Sequence, residues 1–253
     1  MTVTMPPFHT PGAFANSSYG RWTGEQLVLP NGEPASPMAR DVHAALRAQL
    51  HDPDFPCVGA KSVVNQNSYR FGLYPELATP DSTEGLALDL FRFGRDLEAV
   101  GGEFHSYIAC FLEPKLREGK TFEALLWQQL KALHDLNRQH FDWNQEVSRD
   151  PAHAGFSFSF AGGAYFVVGL SPASPRWARH FPWPTLIFND HFQFERLREG
   201  NHFDRIRDVI RLRDEALHGT PNTALEDYGA HSEAQQYSGL PQEDGWRCPV
   251  KFD

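Results

Sequence analysis

FSFSFAGGAYFVVGL, residues 156–170, is the stretch on which the fold turns. Its first half alternates Phe156, Phe158 and Phe160 with Ser157 and Ser159, the period-two pattern of a strand with one buried face. Ala161, Gly162 and Gly163 then bring the turn glycines that reach positive φ, as a tight antiparallel turn demands. Tyr165 to Leu170 resumes as a second strand, rich in aromatic and β-branched residues. Such a hairpin seeds an antiparallel sheet, and the other elements are read outward from it.

Downstream, PTLIFN (184–189) reads as a further short strand, and FQFERLREG (192–200) and FDRIRDVIRLRDEAL (203–217) as helices. The segment beyond them is rich in turn residues and poor in periodicity. Upstream, Pro37 behind Ser36 fits a first-turn proline behind an N-cap, and Met38, Val42, Ala45, Leu46 and Leu50 recur at helical spacing. Residues 58–74 alternate loosely and are expected to contribute strands, SYRFGLY (68–74) most clearly. Asp81 and Glu84 imitate a capping box ahead of the stripe Leu86, Leu90, Phe93 and Leu97, which Gly101 and Gly102 end. Phe104, Ile108, Cys110 and Leu112 share one face of a strand that Pro114 stops. A second long helix from Thr121 turns Leu126, Leu130, Leu133 and Leu136 to the core, with Trp127, Gln128, Lys131 and Arg138 expected along its edge. Residues 1–36, rich in Pro, Gly, Ser and Asn, read as an extended arm. Helices and strands mixed without βαβ alternation predict an α+β fold. The expectation is one domain over residues 37–253, with a mainly antiparallel sheet packed against several helices and extended arms at both ends.

Composition removes whole classes of function. The 253 residues carry a net charge of −9, which disfavours a phosphate backbone as partner. No apolar run approaches the roughly 20 residues of a spanning helix, and the N-terminus lacks a signal-peptide pattern, so a cytoplasmic protein without membrane contact is expected. Three cysteines, Cys57, Cys110 and Cys248, are too few and too scattered for a disulfide framework. Cys110, inside SYIACFL, reads as a buried small residue, whereas Cys57 and Cys248 each adjoin a proline that fixes the local chain. A dinucleotide fingerprint, Walker loop, HExxH and GxSxG are all missing from the sequence.

The ordered set FPCVGAKS (55–62), SYRFGLY, NQEVSRDP (144–151) with the hairpin, SPRWARHF (174–181), LIFNDHFQFE (186–195), SEAQQYSG (232–239) and WRCP (246–249) resembles the YqcI/YcgG family. The resemblance runs from about Phe55 to Pro249 and is to its branch of haem-dependent guanidine N-hydroxylases, which includes enzymes of D-cycloserine and guanitoxin biosynthesis. It implies haem b, dioxygen, and hydroxylation of the guanidine nitrogen of arginine or an arginine-derived metabolite. Electrons would come from an external reductase or ferredoxin. The alternative is a haem-binding or haem-transfer protein without oxygenase activity. A third possibility, a cofactor-free binding protein, draws on a departure: the branch carries GLHP where this chain has GLSP, with Ser171 and Pro172.

Two iron ligands are then in play. His191 offers an imidazole after the LIFN strand; Cys57 would supply a thiolate of the kind that favours O–O cleavage. Arg176 and Arg179, three apart, match the planar carboxylates of haem propionates, and Phe158 and Tyr165 are candidates to line the porphyrin. A cationic guanidinium substrate calls for carboxylates, with Glu195, Glu233 and Asp227 as candidates, and Tyr237 and Ser238 are candidates for a catalytic hydrogen bond over the haem.

Overall fold

In the computed structural model, which describes residues 6–101, 104–193, 196, 203–220, 232–243 and 245–253, the hairpin forms as its sequence dictates. Strand β5 (Phe158–Phe160) pairs antiparallel with β6 (Gly163–Leu170) through Phe158↔Tyr165 and Phe160↔Gly163. Ala161 and Gly162 hold the turn at φ 51° and 82°, positive at both central positions as a type I′ turn needs. The strain at Ala161 is offset by its N–H donating to Asn137 Oδ1 at 2.7 Å. Asn144 Nδ2 donates to the Gly162 carbonyl from the other side.

Around this hairpin the chain builds a five-stranded sheet. Its other members are β3 (Tyr69–Glu76), β4 (Ser106–Glu113) and β7 (Thr185–Asp190), in the order β3-β4-β7-β6-β5. Every pairing is antiparallel except β3 with β4, which run parallel. A parallel pair needs a long crossover, and α4 (Pro80–Val100) supplies it. The remaining helices are α1 (Pro11–Asn16), α2 (Pro37–His51), α3 (Val58–Gln66), α5 (Gly119–Asn137) and α6 (Phe203–His218). A short hairpin, β1 (Arg21–Trp22) with β2 (Leu27–Val28), sits in the N-terminal segment. The fold is a single α+β domain. Among the described residues no helix is long and apolar enough to cross a membrane.

Alternation along the strands gives the sheet two faces. One face carries Tyr107, Phe111, Val167 and Phe188 against Leu90 and Phe93 of α4 and Leu126 and Leu130 of α5. The other carries Tyr69, Phe71, Ile108 and Cys110 against Val42 and Leu46 of α2 and Val63 and Val64 of α3. Cys110 is fully buried, as expected, and Thr185 donates to its sulfur.

Three sequence expectations are corrected. Residues 58–66 form helix α3, not a strand: the Cys57 sulfur accepts the Ala60 N–H and Asn67 ends the turn in the left-handed region at φ 55°. Its two valines pack inward against α2, so they mimicked a strand pattern while serving a helix. The α4 start lies two residues earlier than the capping-box reading, with Thr79 at the N-cap and Pro80 in the first turn. Glu84 instead accepts from the Thr10 hydroxyl of the N-terminal segment. Trp127 is fully buried, because the C-terminal segment covers the α5 edge on which it was placed.

The N-terminal segment lies along the domain and is tied to it at Asp89 of α4. That fully buried carboxylate accepts from the Ser17 hydroxyl, the Ser18 N–H and the Tyr74 hydroxyl, and pairs with Arg92 at 3.3 Å. Tyr74 and Tyr107 share a hydroxyl contact of 2.5 Å, and a Cβ on Gly72 would collide with both oxygens. Glycine is therefore required there by close approach. Burial still dominates at Asp89 and pushes its carboxyl up to about 6.

Candidate functional site

The second sheet face is covered unevenly. At β3 and β4 it is sealed by α2 and α3, with Tyr69, Phe71, Ile108 and Cys110 all buried. At the two interior strands beside them, β7 and β6, the same face leaves Ile187, Asn189, Phe166 and Val168 only half-buried. These four are cross-strand partners, Phe166↔Asn189 and Val168↔Ile187, and form one strip with a single amide; Val168 and Ile187 pack on the second core, while the Phe166 ring meets Tyr237 edge-on at 5.8 Å. Asn189 is fixed from both sides, accepting from the Ser106 hydroxyl and donating to the Phe166 carbonyl.

His191 leaves β7 at the end of this strip. It is buried, and its Nδ1 lies 3.7 Å from Glu233 Oε2. The turn that carries it is clamped to the start of β4: the His105 N–H donates to Gln193 Oε1 at 2.6 Å, and the Asp190 N–H to the His105 carbonyl. Glu233 comes from a short 3₁₀ turn, Glu233–Gln236, capped by the Ser232 hydroxyl. Its other oxygen accepts the Tyr237 hydroxyl at 2.5 Å. That hydroxyl also accepts the Phe158 N–H and lies 3.2 Å from the Tyr165 carbonyl, so it is inserted where the β5–β6 ladder opens. Burial, then the Glu233 carboxylate, raise the Tyr237 hydroxyl well above its ordinary range, so it stays a proton donor. The fold thus joins three of the sequence candidates, His191, Glu233 and Tyr237, into one buried chain.

Cys57 occupies the N-cap of α3, half-buried, with its sulfur accepting the Ala60 N–H at 3.4 Å. Burial raises its thiol, against the backbone donors and Arg179, which favour thiolate. Arg179 is held by three backbone carbonyls, of Gly169, Gln236 and Tyr237, at 3.1 to 3.5 Å. Burial lowers its guanidinium to about 10. Arg176 pairs with buried Asp214 of α6 at 3.0 Å and also donates to the Thr220 carbonyl. Asp214 thus pairs directly with Arg176 and also acts electrostatically on Arg179, whose own hydrogen bonds go to backbone carbonyls.

The other candidates disperse. Phe158 and Tyr165 point into the first face, both packed on Phe188, and do not line the half-open strip. The residues that do, Phe166, Val168 and Ile187, sit in the same strands at the opposite parity. Choosing between parities requires knowing which sheet face is sealed, which strand alternation alone leaves undecided. Ser238 donates to Glu123 of α5, tying the C-terminal segment down apart from Glu233. Ser171, where the similar branch has histidine, is buried and its hydroxyl accepts the Ala173 N–H, closing a turn. Glu195 and Asp227 lie outside the described residues. Trp127, stacked on Tyr237 at 5.5 Å, is the neighbour that the edge assignment missed.

Comparison with known proteins bears on this arrangement. No solved structure matches the chain. It is 29% identical over 173 residues to the uncharacterized protein YqcI of Bacillus subtilis (strain 168), covering 66% of this chain and 67% of that one. It is 27% identical over 208 residues to the uncharacterized protein YcgG of the same organism, covering 78% and 81%. The model of the YqcI/YcgG family matches residues 46–251, a span that takes in Cys57, the half-open strip, His191, Glu233 and Tyr237. The chain belongs to the YqcI/YcgG family.

Proposed function

We propose that this protein is a haem-dependent monooxygenase that N-hydroxylates the guanidine group of arginine or an arginine-derived metabolite. The observation that carries the reading is His191: a buried imidazole at the end of a half-open apolar strip, with a carboxylate 3.7 Å from its Nδ1. Histidines that bind metals characteristically have their second nitrogen held by a carboxylate or carbonyl, which fixes ring orientation and raises basicity. Glu233 lies within ion-pair distance of that nitrogen in His191, and Tyr237 hydrogen-bonds Glu233. The strip of Phe166, Val168 and Ile187 suits one face of a flat apolar macrocycle.

The residues present fit haem in these respects, with His191 as the ligand and Cys57 as the alternative. When bound, haem would supply activation of dioxygen, with electrons from an external donor. The chain's own contribution is position and proton control. Glu233 is a positioning residue, already engaged by His191 and Tyr237, and is reassigned from substrate recognition. Recognition of a guanidinium then falls to other carboxylates, Glu195 and Asp227 being the candidates. Arg176 and Arg179 remain the candidates for the propionates, beside the internal hydrogen bonds they make.

The test is the absorption spectrum of protein expressed with haem precursor, oxidised, reduced and with carbon monoxide, beside His191→Ala and Cys57→Ser. We expect a Soret band that Cys57→Ser keeps and His191→Ala loses. A carbonyl band at the thiolate position, abolished by Cys57→Ser, moves the ligand to Cys57. A folded, haem-supplied protein without a Soret band ends the reading. A second reading, haem binding without oxygenase activity, predicts a Soret band that arginine does not shift.

A further inference from the structure

Helix α6 presents two unlike sides. Its inner side is tied to the domain: Arg213 donates to the Pro53 carbonyl, Asp214 pairs with Arg176 at 3.0 Å, and His218 Nε2 accepts the Trp177 N–H at 3.2 Å. Its outer side exposes Arg205, Asp208, Val209, Leu212, Glu215 and Ala216, which recur at helical spacing along one stripe. Val209 is 40% and Leu212 70% exposed, and with Leu217 they are three of the five large apolar side chains exposed among the described residues. Gathered on one helix, they mark an interaction surface, whereas scattered single ones would need no explanation.

The charges beside Val209 and Leu212 select the partner. Arg205 precedes Val209 by four residues, and Glu215 follows Leu212 by three. Neither has an ion pair among the described residues, while Asp208 is already paired with Arg207 at 3.0 Å. Turned end for end, a second α6 sets its Glu215 opposite Arg205, its Leu212 opposite Val209, and its Arg205 opposite Glu215. The face is thus complementary to itself, the condition for an isologous two-fold contact. A parallel arrangement would bring Arg205 against Arg205 and Glu215 against Glu215, so charge fixes the direction.

We propose that α6 is a homodimer contact, packed antiparallel on α6 of a second copy of this chain across a two-fold axis near Ile210 and Arg211. Val209 and Leu212 of both copies form its apolar centre, and two Arg205–Glu215 pairs flank it. Burial of the centre supplies the affinity; the exposed ion pairs contribute little energy and set register and direction. One helix pair is small beside the roughly 1,600 Å² of a standard interface, so the dimer is reversible and concentration-dependent. The inner side of the same helix holds the turn that carries Arg176 and Arg179, so pairing steadies that turn. Nothing in the contact rests on haem.

The test is sedimentation velocity of the full chain over a concentration series at low salt, with circular dichroism to confirm that each variant folds. The parent protein is expected to pass from monomer to dimer. Leu212→Asp, at an exposed position, is expected to weaken the dimer on the order of tenfold. Arg205→Glu and Glu215→Arg each set like charges opposite one another in their own homodimers and should weaken them too, because such juxtaposition costs more than the pair contributes. Mixed one to one, the two variants again oppose unlike charges at both pairs, and the dimer returns as a heterodimer. A parent protein that stays monomeric throughout the series overturns the proposal, as does a dimer that Leu212→Asp leaves intact. So does a mixture that sediments no differently from its two components, since a merely damaged helix is not repaired by mixing.

Discussion

The two faces of the sheet differ more than any other pair of regions in the molecule. Phe188 and Ile187 are neighbours on β7, yet Phe188 is fully buried against Tyr107 and Val167 on the first face while Ile187 is half-buried on the second. One strand therefore contributes to a closed core on one side and an open strip on the other. A closed face maximises apolar burial and close packing, the dominant favourable contributions to folding. A strip left half-covered on interior strands gives up part of that contribution. The half-buried strip adjoins the buried group His191, Glu233 and Tyr237.

The largest effect should come from the closed face. Phe188→Ala is expected to lose about 3–5 kcal/mol in urea unfolding, because a fully packed ring leaves a cavity that its neighbours do not fill. Equal losses at Phe188 and Ile187 would erase the distinction between the faces.

The Asp89 carboxylate sharpens the comparison through pH. Its folded value near 6 lies above the ordinary 3.8, so the folded protein holds this proton more tightly than the unfolded chain. Its contribution is full below about pH 4 and is lost as pH rises through 6, up to about 3 kcal/mol. Asp89→Asn removes the titration. Between pH 4 and 7 the stability of the parent protein should therefore fall relative to the variant. A parallel pair of pH profiles would mean that the Ser17, Ser18, Tyr74 and Arg92 partners outweigh the burial of the carboxylate.

The smallest effect on stability belongs to the open strip. Ile187→Ala should cost only about 1 kcal/mol, since a half-exposed side chain has less to lose on truncation. If the strip receives haem, the same variant should lower haem retention in a gel-filtration assay. A loss near that of Phe188→Ala, with haem retention intact, would place Ile187 in the closed core.

How far the site could be read from the chain differs by kind of signal. The hairpin, α2 and α5 were legible because local periodicity, the Ser36 cap and Gly162 agree with the final structure, although the second positive-φ position of the turn is Ala161 and not Gly163. Residues 58–66 were misread because two adjacent valines favour a strand locally, whereas Cys57 caps a helix whose inner side packs on α2. His191, Glu233 and Tyr237 could each be singled out from motifs, but nothing in their spacing required that they meet. Arg176 and Arg179 show the reverse. Their spacing suggested one shared partner, and packing gives their hydrogen bonds different acceptors, Asp214 for Arg176 and backbone carbonyls for Arg179, with Asp214 acting on both through its charge.

By itself the sequence determined most of the element types, α3 excepted, the α+β class and the residues with distinctive chemistry, because these follow from side-chain period, turn conformation and composition. Only the tertiary structure decided which parity of β6 and β7 stays half-buried, which carboxylate lies near His191 and which rings touch Tyr237. Those contacts join segments more than 40 residues apart in the chain, as Glu233 and His191 are. They depend on how sheet, α5 and the C-terminal segment close on one another, and no local pattern records that.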